Sequence, residues 1–186
     1  MIAVIGGAGY IGSHTVKYLL EQNEEVVVFD NLCTGHREFV PANIAFVKGD
    51  LASTEDLNTL FSSYPTIHSV IHFAAFAYVG ESVEQPAKYY RNNFVNTVNL
   101  LDAMLKYNVK NIVFSSTCAT YGNPVQLPIT EEHPQNPINP YGRTKLMMEQ
   151  LMEDYAHAYG MKFAALRYFN AAGAAEDASI GEWHEP

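Results

Sequence analysis

The 186-residue chain is 48% hydrophobic and 17% charged, with a formal net charge of −9. Those proportions are ordinary for a soluble globular protein with one sizeable core. The acidic balance argues against a nucleic-acid backbone as partner, but a nucleotide held by backbone amides stays open. No apolar run approaches the roughly 20 residues of a membrane span. The start, MIAVIGGAGYIG, has no basic region before its apolar stretch, so it does not read as a secretory leader. Cys33 and Cys118 show no metal or CxxC spacing and read as free thiols of a reducing cytoplasm. The histidines are scattered and read as solvated or satisfied core residues, so no metal site is expected.

In chain order, residues 1–5 are a short apolar run closed by glycines, the pattern of a buried strand. Residues 10–22 predict a helix, 25–30 (EVVVFD) a second strand and 44–48 a third. Residues 54–62 predict a short helix with Thr54 as its N-cap. HSVIHF at 68–73 predicts a fourth strand, and a long helix is expected over 86–107, with Pro86 suited to its first turn. KNIVFS at 110–115 predicts a fifth strand, 141–159 a helix, and KFAALRY at 162–168 a sixth strand. Pro124, Pro128, Pro134, Pro137 and Pro140 mark 123–140 as a long loop, a kind often tied to function. Strands rich in Val, Ile and Phe alternating with helices point to an α/β fold. Its expected form is a Rossmann-like doubly wound parallel sheet, helices on both faces, in the order 3-2-1-4-5-6. The long helices are apolar on more than one face: Phe94, Val98, Leu101 and Leu105 on the first, Leu146, Met147, Met148, Leu151 and Tyr155 on the second. The sheet accounts for one face, and a homodimer contact through 86–107 and 141–159 accounts for another.

GGAGYIG fits a glycine fingerprint through Gly6, Gly9 and Gly12, and it follows the first strand and opens a helix. A pyrophosphate needs that close backbone approach, with amides of Tyr10 and Ile11 at the helix start completing the cradle. Asp30 ends the second strand, 18 residues after Gly12 (30 − 12). A carboxylate there accepts from ribose hydroxyls and repels a 2′-phosphate, favouring NAD over NADP. Asn31, Leu32, Cys33, Thr34 and Gly35 would follow around the ribose, with Arg37 near enough to keep a phosphate-bearing dinucleotide open. Asp50 is either a partner for the adenine amino group, with Leu51 beside it, or a helix cap.

NPYGRTK places Tyr141 and Lys145 at i and i+4, on one face of a helix. A free tyrosine titrates near 10, and a neighbouring ammonium or a positive nicotinamide ring favours the phenolate. Thr117, in FSSTCATYG, would orient the substrate hydroxyl that gives up its proton. Together these residues predict a catalytic group for oxidation at a hydroxyl-bearing carbon.

On these residues, and on VFDNL, HFAAFAYVGES, YYRNN and LRYFNAAGA, the chain resembles the extended short-chain dehydrogenase/reductase family, and within it the nucleotide-sugar 4-epimerases. The resemblance implies that Phe73, Ala74, Ala75, Phe76 and Ala77 line an NAD cofactor. It further implies that Asn92 supports NAD, that Phe169 touches its nicotinamide end and that Asn170 meets a UDP-sugar. It implies 4-epimerisation of a UDP-hexose, with Tyr141 taking the 4-OH proton and NAD regenerated, in a dimeric enzyme. Relatives often carry lysine where this chain has Ala77, and serine where it has Thr117. Dehydratases of the family place acids just after that threonine, whereas Cys118 and Ala119 stand here, which favours oxidation without elimination. Residues 1–170 are expected to form the NAD-binding domain and 171–186 the start of a truncated substrate-binding region. The other readings are an epimerase for another nucleotide sugar and a non-catalytic NAD-binding module.

Overall fold

The computed structural model describes residues 1–183; residues 184–186, the end of the expected substrate-binding region, lie outside them. Strands β1 (Ile2–Ile5), β2 (Val26–Asp30), β3 (Ala45–Lys48), β4 (Ser69–His72), β5 (Asn111–Thr117) and β6 (Lys162–Tyr168) form one sheet. All pairs are parallel and the order is β3-β2-β1-β4-β5-β6, as expected. Side chains alternate across the sheet, so successive apolar residues serve two cores. Ala3, Ile5, Val27, Phe29, Val70 and Phe114 point to one face, and Val4, Val26 and Val28 to the other. Each fully buried Phe or Leu in such a core contributes about 1.5–3 kcal/mol.

Helix α1 (Tyr10–Glu21) covers the second face through Val16. The first face is covered by α2 (Thr54–Ser63) through Leu57, Leu60 and Phe61. Ser53, not Thr54, caps α2: its hydroxyl accepts from the Asp56 amide at 3.1 Å, and Thr54 already has helical backbone. A short helix α3 (Val79–Glu84) precedes the expected long one and carries no periodicity long enough to read. The predicted helix 86–107 runs as α4 (Pro86–Tyr89), a wide π turn over Tyr90–Val95, and α5 (Asn96–Lys106). The wide turn aims the buried side chain of Asn93 at a neighbouring loop instead of along the helix. Strand β5 runs on to Thr117, because Ser115, Ser116 and Thr117 find partners in Leu166, Arg167 and Tyr168.

Helix α6 (Pro140–Tyr159) begins where the sequence chemistry places it. Asn139 accepts from the Gly142 amide at 2.8 Å, Pro140 occupies the first turn, and Gly160 ends the helix at φ 69°. Leu101, Met148 and Met152 are buried, and Phe94, Leu105, Leu151 and Tyr155 pack half-buried against the same core. Part of the apolar surplus on these helices is therefore core. Among the described residues no helix is long and apolar enough to cross a membrane.

The sharpest steric constraint lies between β1 and α1. A Cβ on Gly12 would stand 2.1 Å from the Gly6 carbonyl oxygen, whereas one on Gly80 would meet nothing within 4 Å. Gly12→Ala should lower stability by at least about 3 kcal/mol, roughly 6–12 °C in Tm for a domain of this size. Gly80→Ala, in α3, should be neutral or stabilising by up to about 1 kcal/mol. Thermal melts of the two variants test the contrast; equal melting temperatures would contradict it.

Candidate active site

A cleft of about 740 Å³ opens at the C-terminal edge of the sheet, over the ends of β1, β2, β4 and β5. That edge, at the point between β1 and β4 where the strand order reverses, is where open α/β sheets bind ligands. The glycine turn forms its floor. Gly6 sits at φ 78°, and a Cβ there would lie 2.6 Å from the Ala74 nitrogen. No side chain caps α1, whose first turn lines the cleft through Tyr10, Ile11 and Gly12. Uncapped amides and the helix dipole together suit an anion.

Asp30, 8% exposed, stands at the end of β2 beside this turn. Its oxygens accept from the Ala8 amide at 2.9 Å and the Leu32 amide at 2.8 Å, which fixes the carboxylate on the cleft wall. Each oxygen keeps a lone pair for a further donor. Asn31, Cys33, Thr34 and Gly35 line the cleft with it. Leu32 does not: its backbone turns to φ 62° and its side chain packs on the second core. Arg37 is engaged elsewhere, donating to the Val40 carbonyl at 2.6 Å and stacking 4.6 Å above the Phe46 ring. Asp50 accepts from the Ala52 amide at 2.8 Å and the Asn31 amide group at 2.9 Å, and lines the cleft with Leu51. The helix cap is Ser53, so Asp50 holds only the turn before it.

The facing wall is Phe73, Ala74, Ala75, Phe76 and Ala77, with Asn92 beyond. Asn93 clamps it: the Phe76 amide donates to Asn93 Oδ1 at 2.9 Å, and Asn93 Nδ2 donates to the Phe76 carbonyl at 3.0 Å. Asn92 joins the same clamp at 3.0 Å. The uncapped amides of the glycine cradle offer donors for a pyrophosphate and the fixed carboxylate of Asp30 offers an acceptor for ribose hydroxyls, so the residues fit a dinucleotide cofactor.

At the other end of the cleft, Thr117, Tyr141 and Lys145 converge. Lys145 is 3% exposed; its ammonium donates to the Ser115 carbonyl at 2.8 Å and lies 4.8 Å from the Phe114 ring centre and 5.9 Å from that of Tyr141. Burial pulls the Lys145 amine down to about 7, against an opposing pull from the Glu149 carboxylate. Tyr141 departs from the sequence expectation. Burial pushes its phenol above the usual 10, the Thr117 hydroxyl pulls it back in part, and Cys118 adds to the rise. In this protein alone, desolvation outweighs the Thr117 hydrogen bond, and a phenolate needs further positive charge in the cleft. His72, under the lysine, is held neutral at about 3 by burial and then by the Lys145 charge. Its Nε2 pairs with the Thr97 hydroxyl at 3.1 Å. Phe169 and Asn170 follow β6 and line the cleft from an exposed position.

Sequence reasoning missed two groups. Buried Ser116 and Glu149 and half-buried Arg167 form a hydrogen-bonded network beneath the Thr117–Tyr141–Lys145 end of the cleft. The extension of the Tyr141–Lys145 stripe by a further four residues to Glu149 was the available signal. Residues past β6 also fold back along the cleft. Tyr10 donates to the Gly173 carbonyl at 2.6 Å, and Trp183 stacks on His36 with ring centres 4.2 Å apart.

The Lys145 value carries a stability consequence. Its folded value lies below the usual 10.5, so the unfolded chain binds more protons from about 7 to 10.5, and stability rises with pH across that window. Lys145→Met should therefore melt above the parent at pH 7, with the gap closing as pH approaches 10.5. Melting curves across that range check the sign; a Met variant that melts lower at pH 7 would contradict it.

Comparison with known proteins agrees with this geometry. The profile of the NAD dependent epimerase/dehydratase family matches residues 2–181. A UDP-glucose 4-epimerase from Lacticaseibacillus casei is 55% identical over 185 residues, covering 100% of this chain and 56% of that protein. The crystal structure of UDP-glucose 4-epimerase from Brucella ovis in complex with NAD superposes with a TM-score of 0.95 at 55% identity, over 98% of this chain and 56% of that one. The UDP-Glc/GlcNAc 4-epimerase from Campylobacter jejuni superposes with a TM-score of 0.88 at 41% identity, over 100% and 58%. The chain thus spans little more than half the length of these relatives. With a family profile matched over nearly its whole length, the chain belongs to the NAD dependent epimerase/dehydratase family.

Proposed function

We propose that this chain carries the cofactor site and catalytic group of an NAD-dependent UDP-hexose 4-epimerase that interconverts UDP-galactose and UDP-glucose by transient oxidation at C4. The observation that carries the reading is the two-ended cleft. The uncapped glycine turn and Asp30 lie at one end, and Thr117, Tyr141 and Lys145 at the other. Residues 1–170 make up the cofactor domain, and 171 onward begins the substrate-binding region.

Each residue has a role that follows from its position. Amides of Tyr10, Ile11 and Gly12 hold the pyrophosphate, and Asp30 accepts from the adenosine ribose. Asn31, Cys33, Thr34 and Gly35 surround that ribose, and Asp50 with Leu51 meets the adenine. Residues 73–77, Asn92 and Phe169 keep water from the nicotinamide end. Bound there, NAD supplies reversible acceptance of a hydride from the sugar. Thr117 orients the sugar 4-hydroxyl, Tyr141 takes its proton and returns it, and Asn170 contacts the UDP-sugar. Lys145 supplies the adjacent ammonium, and its lowered value lets it share protons near neutral pH. No acid follows Thr117, so no residue at that spot can drive elimination.

The Campylobacter relative's action on UDP-Glc and UDP-GlcNAc supports a second reading, an epimerase for another UDP-sugar. The exposed Val95 and the half-buried Leu146 and Met147 support a homodimer through 86–107 and 141–159. Two free thiols support a cytoplasmic location.

The test is interconversion of UDP-galactose and UDP-glucose by the purified chain with NAD, with no net NADH formed. Tyr141→Phe should lower turnover by about 10²–10⁴-fold while leaving NAD affinity within about threefold. Turnover unchanged by Tyr141→Phe would contradict the reading.

A further inference from the structure

Glu149 and Arg167 do not line the cleft, yet both are committed to its catalytic end. Glu149 is 3% exposed and stands one helical turn beyond Lys145. Its Oε1 accepts from the Ser116 hydroxyl and from Arg167 Nε at 3.1 Å. Its Oε2 accepts from Gln135 Nε2 at 3.0 Å and Arg167 Nη2 at 2.7 Å. Arg167 continues through Nη1 to the Tyr121 hydroxyl at 3.1 Å and the Glu131 carbonyl at 3.0 Å. Burial pushes the Glu149 carboxyl upward, but Arg167, Ser116 and Gln135 together hold it below the usual carboxylate range.

One carboxylate therefore ties α6, β5, β6 and the proline-rich loop. The tied residues adjoin those of the site: Ser116 precedes Thr117, Arg167 precedes Tyr168 and Phe169, and Glu149 lies four residues past Lys145. Stability alone is a poor reason for the arrangement, since a buried ion pair seldom outperforms apolar packing of the same volume. Around Lys145 stand Tyr141 and Glu149 from α6, His72 from β4, the Ser115 carbonyl and Phe114 ring from β5, and Cys118 just past β5, next to Tyr141. His72 is neutral, and Glu149 is the group among them that pulls toward the charged lysine.

We propose that Glu149 is a positioning residue for Lys145, holding the lysine's turn of α6 against the ends of β5 and β6 and giving the buried ammonium its counter-charge. The inference deepens the proposed function and rests on it for its meaning, but its test does not depend on cofactor binding. The Lys145 Nζ resonance of the full chain, labelled on lysine and assigned with Lys145→Arg, is titrated by NMR. The parent midpoint should fall near 7. Glu149→Gln should lower it by about one pH unit. Because that change strands the Arg167 charge, the double variant Glu149→Gln/Arg167→Gln, which leaves no guanidinium without its carboxylate, is titrated beside it. Its midpoint should fall as well. A midpoint that stays at the parent value in the double variant would reduce Glu149 to a structural tie and overturn the inference. NAD is then added to the parent chain: failure to bind would contradict the proposed function, whereas the role of Glu149 stands or falls with the titration alone.

Discussion

The cleft depends on one close approach, the contact of the α1 backbone with the turn that follows β1. Gly12 stands so near the Gly6 carbonyl that no side-chain atom fits between them. That contact brings the helix start to the sheet edge with its amides uncapped and aimed into open space. Asp30 completes the arrangement by accepting from the Ala8 amide inside the same turn. A polar, anion-seeking floor is thereby built from backbone atoms that folding alone would leave unsatisfied.

At the far end the governing quantity is desolvation. Lys145 lies among the Phe114 ring, a neutral His72 and the Tyr141 ring, so its charge is costly and its amine titrates near neutrality. The same burial keeps Tyr141 protonated. The site is therefore set with both groups near their neutral forms, and added positive charge in the cleft would bias the phenol toward giving up its proton. Groups held off their ordinary values by burial and specific partners are what a proton-transfer site requires. Their cost to stability is borne by two well-packed cores on either side of the sheet.

Much of this was legible in the sequence because it is encoded locally. The sheet order follows from alternating apolar runs, residues 162–168 carry the sixth strand as read, and the helix read over 141–159 is α6, one residue longer at its start. The glycine turn, Asp30 and the Tyr141–Lys145 pair were readable because each depends on spacing within one element or turn. What was missed depends on partners far along the chain. The π turn at Tyr90–Val95 is explained by Asn93 meeting Phe76, and β5 reaches Thr117 because β6 lies beside it. Glu149 is one turn past Lys145 in sequence, but its meaning comes from Ser116 and Arg167, which arrive from two other strands. The direction of the Tyr141 shift was also beyond a sequence reading, because burial of the ring, the largest cause, outweighs the opposing hydrogen bond from Thr117.

The most direct measurement is thermal unfolding of the chain with and without saturating NAD, with NADP alongside. Ligand at about 100 times its dissociation constant adds roughly 2.7 kcal/mol of stability, or about 5–11 °C for a domain of this size. A clear upward shift with NAD and little with NADP is the expected result, since in the proposed cofactor site the Asp30 carboxylate would repel a 2′-phosphate. No shift with either dinucleotide would contradict a cofactor site built from the glycine turn and Asp30.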